Sequence, residues 1–386
     1  MIDGTIDLAT AEQTLWDAVV VGAGPAGCVA AIGLARAGLK TLLIDRTHFP
    51  RDKVCGGCLN SDALSDLDRL GLATAVSELG GFAIKKFLLA QRRTRATLDL
   101  PAGMAVSRRA LDALLVQKAI ANGSHFLPGQ PVRIDHTNLQ AETRLLHLGS
   151  DGTVAMQSRT VVLATGLSTA VCVDEAELPV LAASTARIGM GTTACHFPSF
   201  YEPGTIYMAV GRSGYVGLTR VEGHSLNIAA ALDLPRVRAS SPARVCREIL
   251  EQAEFAISPE MLEGPWRGTA SLTRNRPQVA SHRIFAVGDA ASYIEPFTGE
   301  GMAWAIRGGC AVVPLVVRGV QNWSPALMHE WATTLNQHLA RRHRWCRTFA
   351  RVLRHPKLVR AALFLTAAMP PLGRAVVRSI HLESYK

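Results

Sequence analysis

The feature that most limits this chain is a strand, a glycine turn and a helix in the register of a dinucleotide-binding βαβ unit. Asp17-Ala18-Val19-Val20-Val21 is a short apolar run, β-branched at its end, and reads as a buried parallel strand. Gly22, Gly24 and Gly27 then form G-x-G-x-x-G, with Pro25 and Ala26 inside it. In such a turn Gly22 permits the sharp exit from the strand, Gly24 lets backbone approach a pyrophosphate, and Gly27 lets the next helix lie close on the sheet. That helix is expected over about residues 26–37, closed by Gly38 as C-cap. Its N-terminus offers free N–H groups and a partial positive charge to phosphate oxygens. A second strand covers Thr41 to Ile44. It ends in Asp45, 18 residues after Gly27, where a carboxylate accepts a ribose hydroxyl; the adjoining Arg46 is counted with the site. A carboxylate there repels a 2′-phosphate, which argues against NADP in this slot.

More than 260 residues later a second glycine-rich stretch appears. A strand over 283–287 delivers Gly288-Asp289-Ala290-Ala291. Pro296-Phe297-Thr298-Gly299-Glu300-Gly301 follows, and a helix is expected from Gly301 to Val317. In this order the two stretches point to FAD gripped by both ends of the polypeptide. Between them lie a helix from Ser61 to Leu70, an apolar–basic strand pair over 82–100, a helix from Ser107 to Asn122, and a buried strand from Thr160 to Ala164. Strands dominate from 183 to 233, and a helix covers 243–254. The expected fold class is α/β. Residues 1–81, 101–182 and 271–325 form a discontinuous Rossmann-like FAD-binding domain, and residues 82–100 and 183–270 form an inserted β-rich substrate domain. Residues 326–386 form a basic helical C-terminal segment.

Charge is uneven. The net charge is +10, yet no acidic residue occurs between Glu330 and Glu383, an interval holding ten Lys and Arg. The rest of the chain carries 31 basic against 31 acidic residues and is neutral. Apolar positions Leu327, Trp331, Leu335, Leu339, Cys346, Phe349 and Leu353 recur at helical spacing in this tail, and His355-Pro356 breaks the helix before a second apolar segment. Three readings stay open for residues 341–378. They are a helical cap with a solvated basic face, a membrane-surface segment, or a docking site for an acidic partner such as an acyl carrier protein. No nucleic-acid module is recognised, so nucleic acid is not an expected partner. The N-terminus has neither a basic n-region nor an apolar h-region, and no uninterrupted apolar run reaches bilayer length. Six of the eight cysteines, Cys172 among them, have no near partner in sequence. The chain is therefore expected in the cytoplasm with reduced thiols, peripheral to a membrane if the tail reads that way.

The motifs together resemble the geranylgeranyl reductase family, within the flavoprotein group shared with para-hydroxybenzoate hydroxylase and the flavin-dependent halogenases. The matching features run from about Asp17 to Gly309. They include Phe49-Pro50-Arg51-Asp52-Lys53-Val54-Cys55-Gly56-Gly57, Arg108-Arg109-Ala110-Leu111-Asp112, Ala164-Thr165-Gly166 and Gly214-Tyr215-Val216-Gly217-Leu218. The resemblance implies that Asp289 accepts a ribityl hydroxyl and that Arg108 contacts the FAD. It implies that Thr165 and Gly166 lie near the adenosine half. Gly288, Pro296, Gly299, Gly301 and Met302 line the flavin end, where the helix N-terminus stabilises negative charge on the reduced ring. It also implies that the loop carrying Lys53, Cys55, Gly56 and Gly57 lies over the flavin, with Cys55 as proton donor or positioning group.

Flavins in this group either reduce a carbon–carbon double bond or activate dioxygen. The asparagine common after the last glycine of aromatic hydroxylases is replaced here by Met302-Ala303-Trp304, and their Asp-Gly pair reads Thr165-Gly166. Lys53 falls near the catalytic lysine region of halogenases, but the residues that accompany it there are missing. The reductase branch is favoured: reduction of a double bond in a hydrophobic, polyprenyl or long-chain molecule. The alternatives are a monooxygenase acting on an aromatic or polyketide-like substrate and a flavin-bound lipid carrier. Cys55 and Cys58 form C-x-x-C without a second cysteine or histidine pair, so no metal is expected; they read as a redox dithiol, or as a flavin-facing Cys55 beside a small buried Cys58. No second G-x-G-x-x-G exists, so the reductant is either transient NAD(P)H on the FAD domain or another electron donor.

Overall fold

The computed structural model describes residues 1–135, 141–168, 177–295, 297 and 299–368. Cys172, Pro296, Thr298 and the tail from Met369, with Arg374 and Arg378, lie outside the described residues. Among the described residues two large sheets form.

The first sheet grows around the strand Leu15–Val21, whose Ala18, Val19 and Val20 are fully buried. It pairs in parallel with Thr41–Asp45 on one side and Val154–Leu163 on the other. His125–Pro128 extends the first side and Ile284–Ala286 the second, again in parallel. Strand order therefore reverses on either side of Leu15–Val21. That is the topological switch point, where a crevice opens at the carboxyl ends of the strands. Val132–Ile134 and Arg144–Leu148 add an antiparallel hairpin that sequence reading left unassigned.

Two helices cover this sheet and touch each other. Pro25–Arg36 and Gly301–Gln321 approach so closely that a Cβ added at Gly309 would lie 2.4 Å from the Ala26 carbonyl oxygen. One added at Gly33 would lie 2.6 Å from Val313 Cγ2. By length and composition Gly301–Gln321 is apolar enough to cross a membrane, with mean hydropathy 1.4, although Arg307 and Arg318 interrupt its apolar run. In the fold 56% of its apolar window is buried, and Arg307 Nε reaches the Asp66 carboxylate at 3.0 Å.

The second sheet is built by the strands Arg267–Ser271, Ile188–Ala194, Ser225–Leu232, Gly214–Val221, Thr205–Gly211, Phe82–Gln91, Thr94–Ala105 and Cys58–Leu59, in that spatial order. Thr205–Gly211 pairs in parallel with Phe82–Gln91, and the other pairings are antiparallel. Thr94–Ala105 runs past residue 100, because its last residues pair with Cys58 and Leu59.

The C-terminal segment splits its packing between the two sheets. Ala326–Val352 caps the first: Trp331 is fully buried and its Nε1 donates to the Ala286 carbonyl at 2.9 Å. Pro356–Ala368 crosses to the second, burying Val359 and Leu363 with Met208, Val210 and Tyr215.

The glycine contact between the two long helices makes a direct forecast. Gly309→Val would force them apart and destabilise the fold by about 1–3 kcal/mol. A thermal melt should show a lowered Tm, and the purified protein should retain less FAD.

Candidate functional site

Two bare helix ends meet at one space. Pro25–Arg36 starts from Gly24 and Gly301–Gln321 from Glu300, neither with a side-chain cap. Gly24, Pro25, Ala26, Gly301 and Met302 all line one cavity of about 420 Å³. Uncapped N–H groups and two positive dipole ends therefore collect there. Such donors take up an anion or a negatively polarised ring edge. The motif glycines divide their roles. A Cβ at Gly22 (φ +109°) would lie 2.4 Å from the Ala164 carbonyl oxygen, and one at Gly27 would lie 1.8 Å from the Gly22 oxygen. Those two hold the turn shut. Gly24 faces the cavity, where a Cβ would stand 3.6 Å from Arg108 Nη2.

A charged cluster backs this end. Asp112 is fully buried. It accepts two hydrogen bonds from Arg108, Nε to Oδ1 and Nη2 to Oδ2, both at 2.8 Å. Arg51 Nη1 lies 3.1 Å from the same carboxylate. Burial works against the Arg108 charge, but the Asp112 carboxylate and its hydrogen bonds outweigh it, so the guanidinium stays protonated. A bidentate pair this deep fixes orientation more than it adds net stability. Asp45 braces the turn itself. Its Oδ2 accepts from the Ala23 N–H at 2.8 Å, and its Oδ1 accepts from the Thr47 N–H and hydroxyl at 3.0 and 2.7 Å.

Lys53 and Asp289 both line the cavity, and each feels the other's charge. A Cβ at Gly166 would lie 2.7 Å from Lys53 Nζ, so glycine there makes room for the amine. Burial, with the Arg108 and Arg51 charges, lowers the Lys53 amine to about 8, against the pull of Asp289 and Asp112. Burial raises the Asp289 carboxyl, opposed by Lys53, Arg108 and Arg274.

The Lys53–Cys58 loop is held by the second sheet. Asn227 Nδ2 donates to the Cys55 carbonyl at 2.9 Å, and the Gly57 N–H donates to Cys55 Sγ at 3.5 Å. The Val106 N–H donates to the Gly57 carbonyl at 2.8 Å. Cys55 and Cys58 are both free thiols, and burial pushes the Cys58 thiol well up. Beyond the loop the cavity continues between apolar walls. Leu89, Met208, Leu218 and Ala229 of the second sheet form one wall, and Phe349, Leu363 and Thr366 of the C-terminal helices form another. Tyr215 stands among them, with the Phe297 ring edge-on at 5.2 Å. Behind it Arg187 Nη1 reaches the buried Glu295 carboxylate at 3.1 Å. Burial, with Glu295, pushes the Tyr215 hydroxyl well above its ordinary range.

The cavity thus collects Gly24, Pro25, Ala26, Lys53, Cys55, Gly56, Arg108, Gly166, Asp289, Gly299, Gly301 and Met302 from the expected set. Gly22, Gly27, Asp45, Gly57, Thr165 and Gly288 do not line it; Arg46 is exposed. Pro296 falls outside the described residues. Sequence reasoning left out Asp112, Asn227, Phe297, Phe349, Leu363 and Thr366 as site residues. The i,i+4 spacing of Arg108 and Asp112 could have found the first. Nothing local marks the C-terminal helices as cavity wall. Bare donors at both helix ends, glycine clearance and a basic back wall fit FAD.

The comparisons agree with this geometry. The sequence profile of the FAD binding domain matches residues 16–314. The menaquinone reductase of Mycolicibacterium smegmatis is 28% identical over 404 aligned positions, covering 94% of this chain and 93% of that protein. The geranylgeranyl diphosphate reductase of Rhodobacter capsulatus is 27% identical over 341, covering 81% and 77%. Among solved structures, the flavin-dependent brominase Bmp2 superposes with a TM-score of 0.77 over 97% of this chain and 95% of that one, at 17% identity, which establishes a common fold.

The Lys53 amine carries a stability prediction for the FAD-free protein. Its folded value of about 8 lies below the ordinary 10.5. The unfolded chain therefore holds the proton more tightly, and the folded state is penalised fully below pH 8. The penalty fades as pH rises from about 8 to 10.5. Lys53→Met should therefore raise Tm near pH 7, with the gain shrinking across that window in pH-dependent melts.

Proposed function

The chain belongs to the FAD binding domain family and is an FAD-dependent oxidoreductase, and on that footing we propose that it reduces a carbon–carbon double bond of a hydrophobic, polyprenyl or long-chain substrate. The observation that carries this reading is the continuity of the cavity. One space runs from the glycine turn at Gly24 to the apolar walls at Leu89, Met208, Phe349 and Leu363. An apolar pocket with few polar groups, opening directly on the cofactor end, suits a long uncharged molecule. The names of the relatives, menaquinone reductase and geranylgeranyl diphosphate reductase, point the same way.

Bound FAD, once reduced by a nicotinamide or a protein electron donor, supplies a hydride equivalent for the double bond. Gly24, Pro25 and Ala26 would hold the pyrophosphate through the first helix end, beside Arg108, which Asp112 locks in place. Asp289 would accept a ribityl hydroxyl. Gly301 and Met302 would present the second helix end to the ring, where its positive pole would favour negative charge. Lys53 adds positive charge between these two ends. Cys55, pinned through its own carbonyl by Asn227, gives a proton to the second carbon and recovers it from solvent. The apolar sheet and helix walls exclude water and align the substrate chain.

Anaerobic single-turnover mixing tests this. Holoenzyme reduced with dithionite should saturate one double bond of a prenylated quinone or polyprenyl lipid, seen as a gain of two hydrogens by mass spectrometry. In a parallel aerobic mixing, hydroxylation of an aromatic substrate with dioxygen uptake, together with no reduction of the lipid under anaerobic conditions, would overturn the reading in favour of oxygenation. In the same assay Cys55→Ala should lower the single-turnover rate constant about a hundredfold with FAD retained.

A further inference from the structure

We propose that the C-terminal helix pair is a membrane-seated portal, in which an anionic bilayer surface receives the outer face of Pro356–Ala368 and the substrate enters the cavity past this helix. The helix is a wall one element thick. On its inner side Val359 and Leu363 are buried, and Ala362, Leu363 and Thr366 line the cavity. On its outer side Leu358, Phe364 and Leu365 are 52%, 68% and 47% exposed. Trp345, on the preceding helix, is 36% exposed. These four are most of the large apolar side chains that stand exposed among the described residues. A cluster of that kind marks an interaction surface.

The charge around it selects the occupant. Lys357 and Arg360 are exposed on the same helix, and Arg344, Arg347 and Arg351 are exposed on the one before it. No acidic residue occurs anywhere from 331 to 382. A basic rim around exposed Trp, Phe and Leu is the composition that seats a helix at the headgroup boundary of anionic lipid. The path inward is aromatic. The Trp345 ring lies 6.0 Å from Phe349, Phe349 stacks 6.5 Å from Phe297, and Phe297 meets Tyr215. A prenyl or alkyl chain leaving the bilayer would meet these rings before the flavin end. What passes through the portal rests on the apolar-substrate reading above; the docking itself does not.

The test is flotation of the full-length, FAD-loaded protein with vesicles of equal parts phosphatidylglycerol and phosphatidylcholine, and with phosphatidylcholine alone. The protein should float with the anionic vesicles and release at high salt. Leu358→Glu/Phe364→Glu/Leu365→Glu and, separately, Lys357→Glu/Arg360→Glu should each weaken partitioning at least about tenfold. Thermal melts confirm that each variant is folded. Both variants should lose kcat/KM on substrate presented in vesicles and keep it on a short-tailed, water-soluble analogue. Failure of the wild-type protein to float, or equal flotation of the triple variant, overturns the proposal. So does a wild-type dimer that the triple variant converts to monomer, because a second copy would then own the face. Flotation needs no turnover, so it reads out independently of whether double-bond reduction is the reaction.

Discussion

Two helices distant in sequence lie in contact because glycine stands where they cross. Gly309 leaves room for the Ala26 carbonyl, and Gly33 leaves room for Val313. That contact brings the starts of Pro25–Arg36 and Gly301–Gln321 to the same cavity. Neither start is capped by a side chain, so each leaves backbone donors facing it. In most folds such ends are costly and are satisfied locally. Here a cofactor with a phosphate end and a ring end can satisfy both, which ties the packing of the core to the grip on FAD.

The charged residues around the cavity act as a frame for that grip. Asp112, itself fully buried, accepts from Arg108 and approaches Arg51, and Asp45 holds the glycine turn through the Ala23 amide. Breaking one partner of such a set leaves an uncompensated buried charge, so the set is rigid. Lys53 and Asp289, by contrast, stand at the cavity and are shifted toward neutrality by burial. Rigid pairs behind and adjustable groups in front suit a site whose ligand changes charge during turnover.

The second sheet and the C-terminal helices form the apolar walls of the cavity. The Lys53–Cys58 loop belongs to the FAD-binding half by sequence, yet it is held by Asn227, Val106 and a strand pairing to Ala105. A single loop therefore reports on both halves. The C-terminal segment is also shared, capping the first sheet through Trp331 and walling the cavity through Leu363.

The dinucleotide unit was legible in the sequence because its signals are local. Strand, turn glycines, helix and acid fall within about thirty residues, and each follows from backbone sterics and hydrogen bonding. Lys53, Cys55, Arg108 and Asp289, which line one cavity, were pointed to by the family resemblance that such short motifs carry. The apolar cavity was not. Its walls come from strands and helices hundreds of residues apart, and which face each turns inward is set by sheet register and helix packing, not by neighbours in the chain. Pro356–Ala368 shows the limit most clearly: its sequence says apolar and basic, and only the fold says that one side closes the site while the other is left outside.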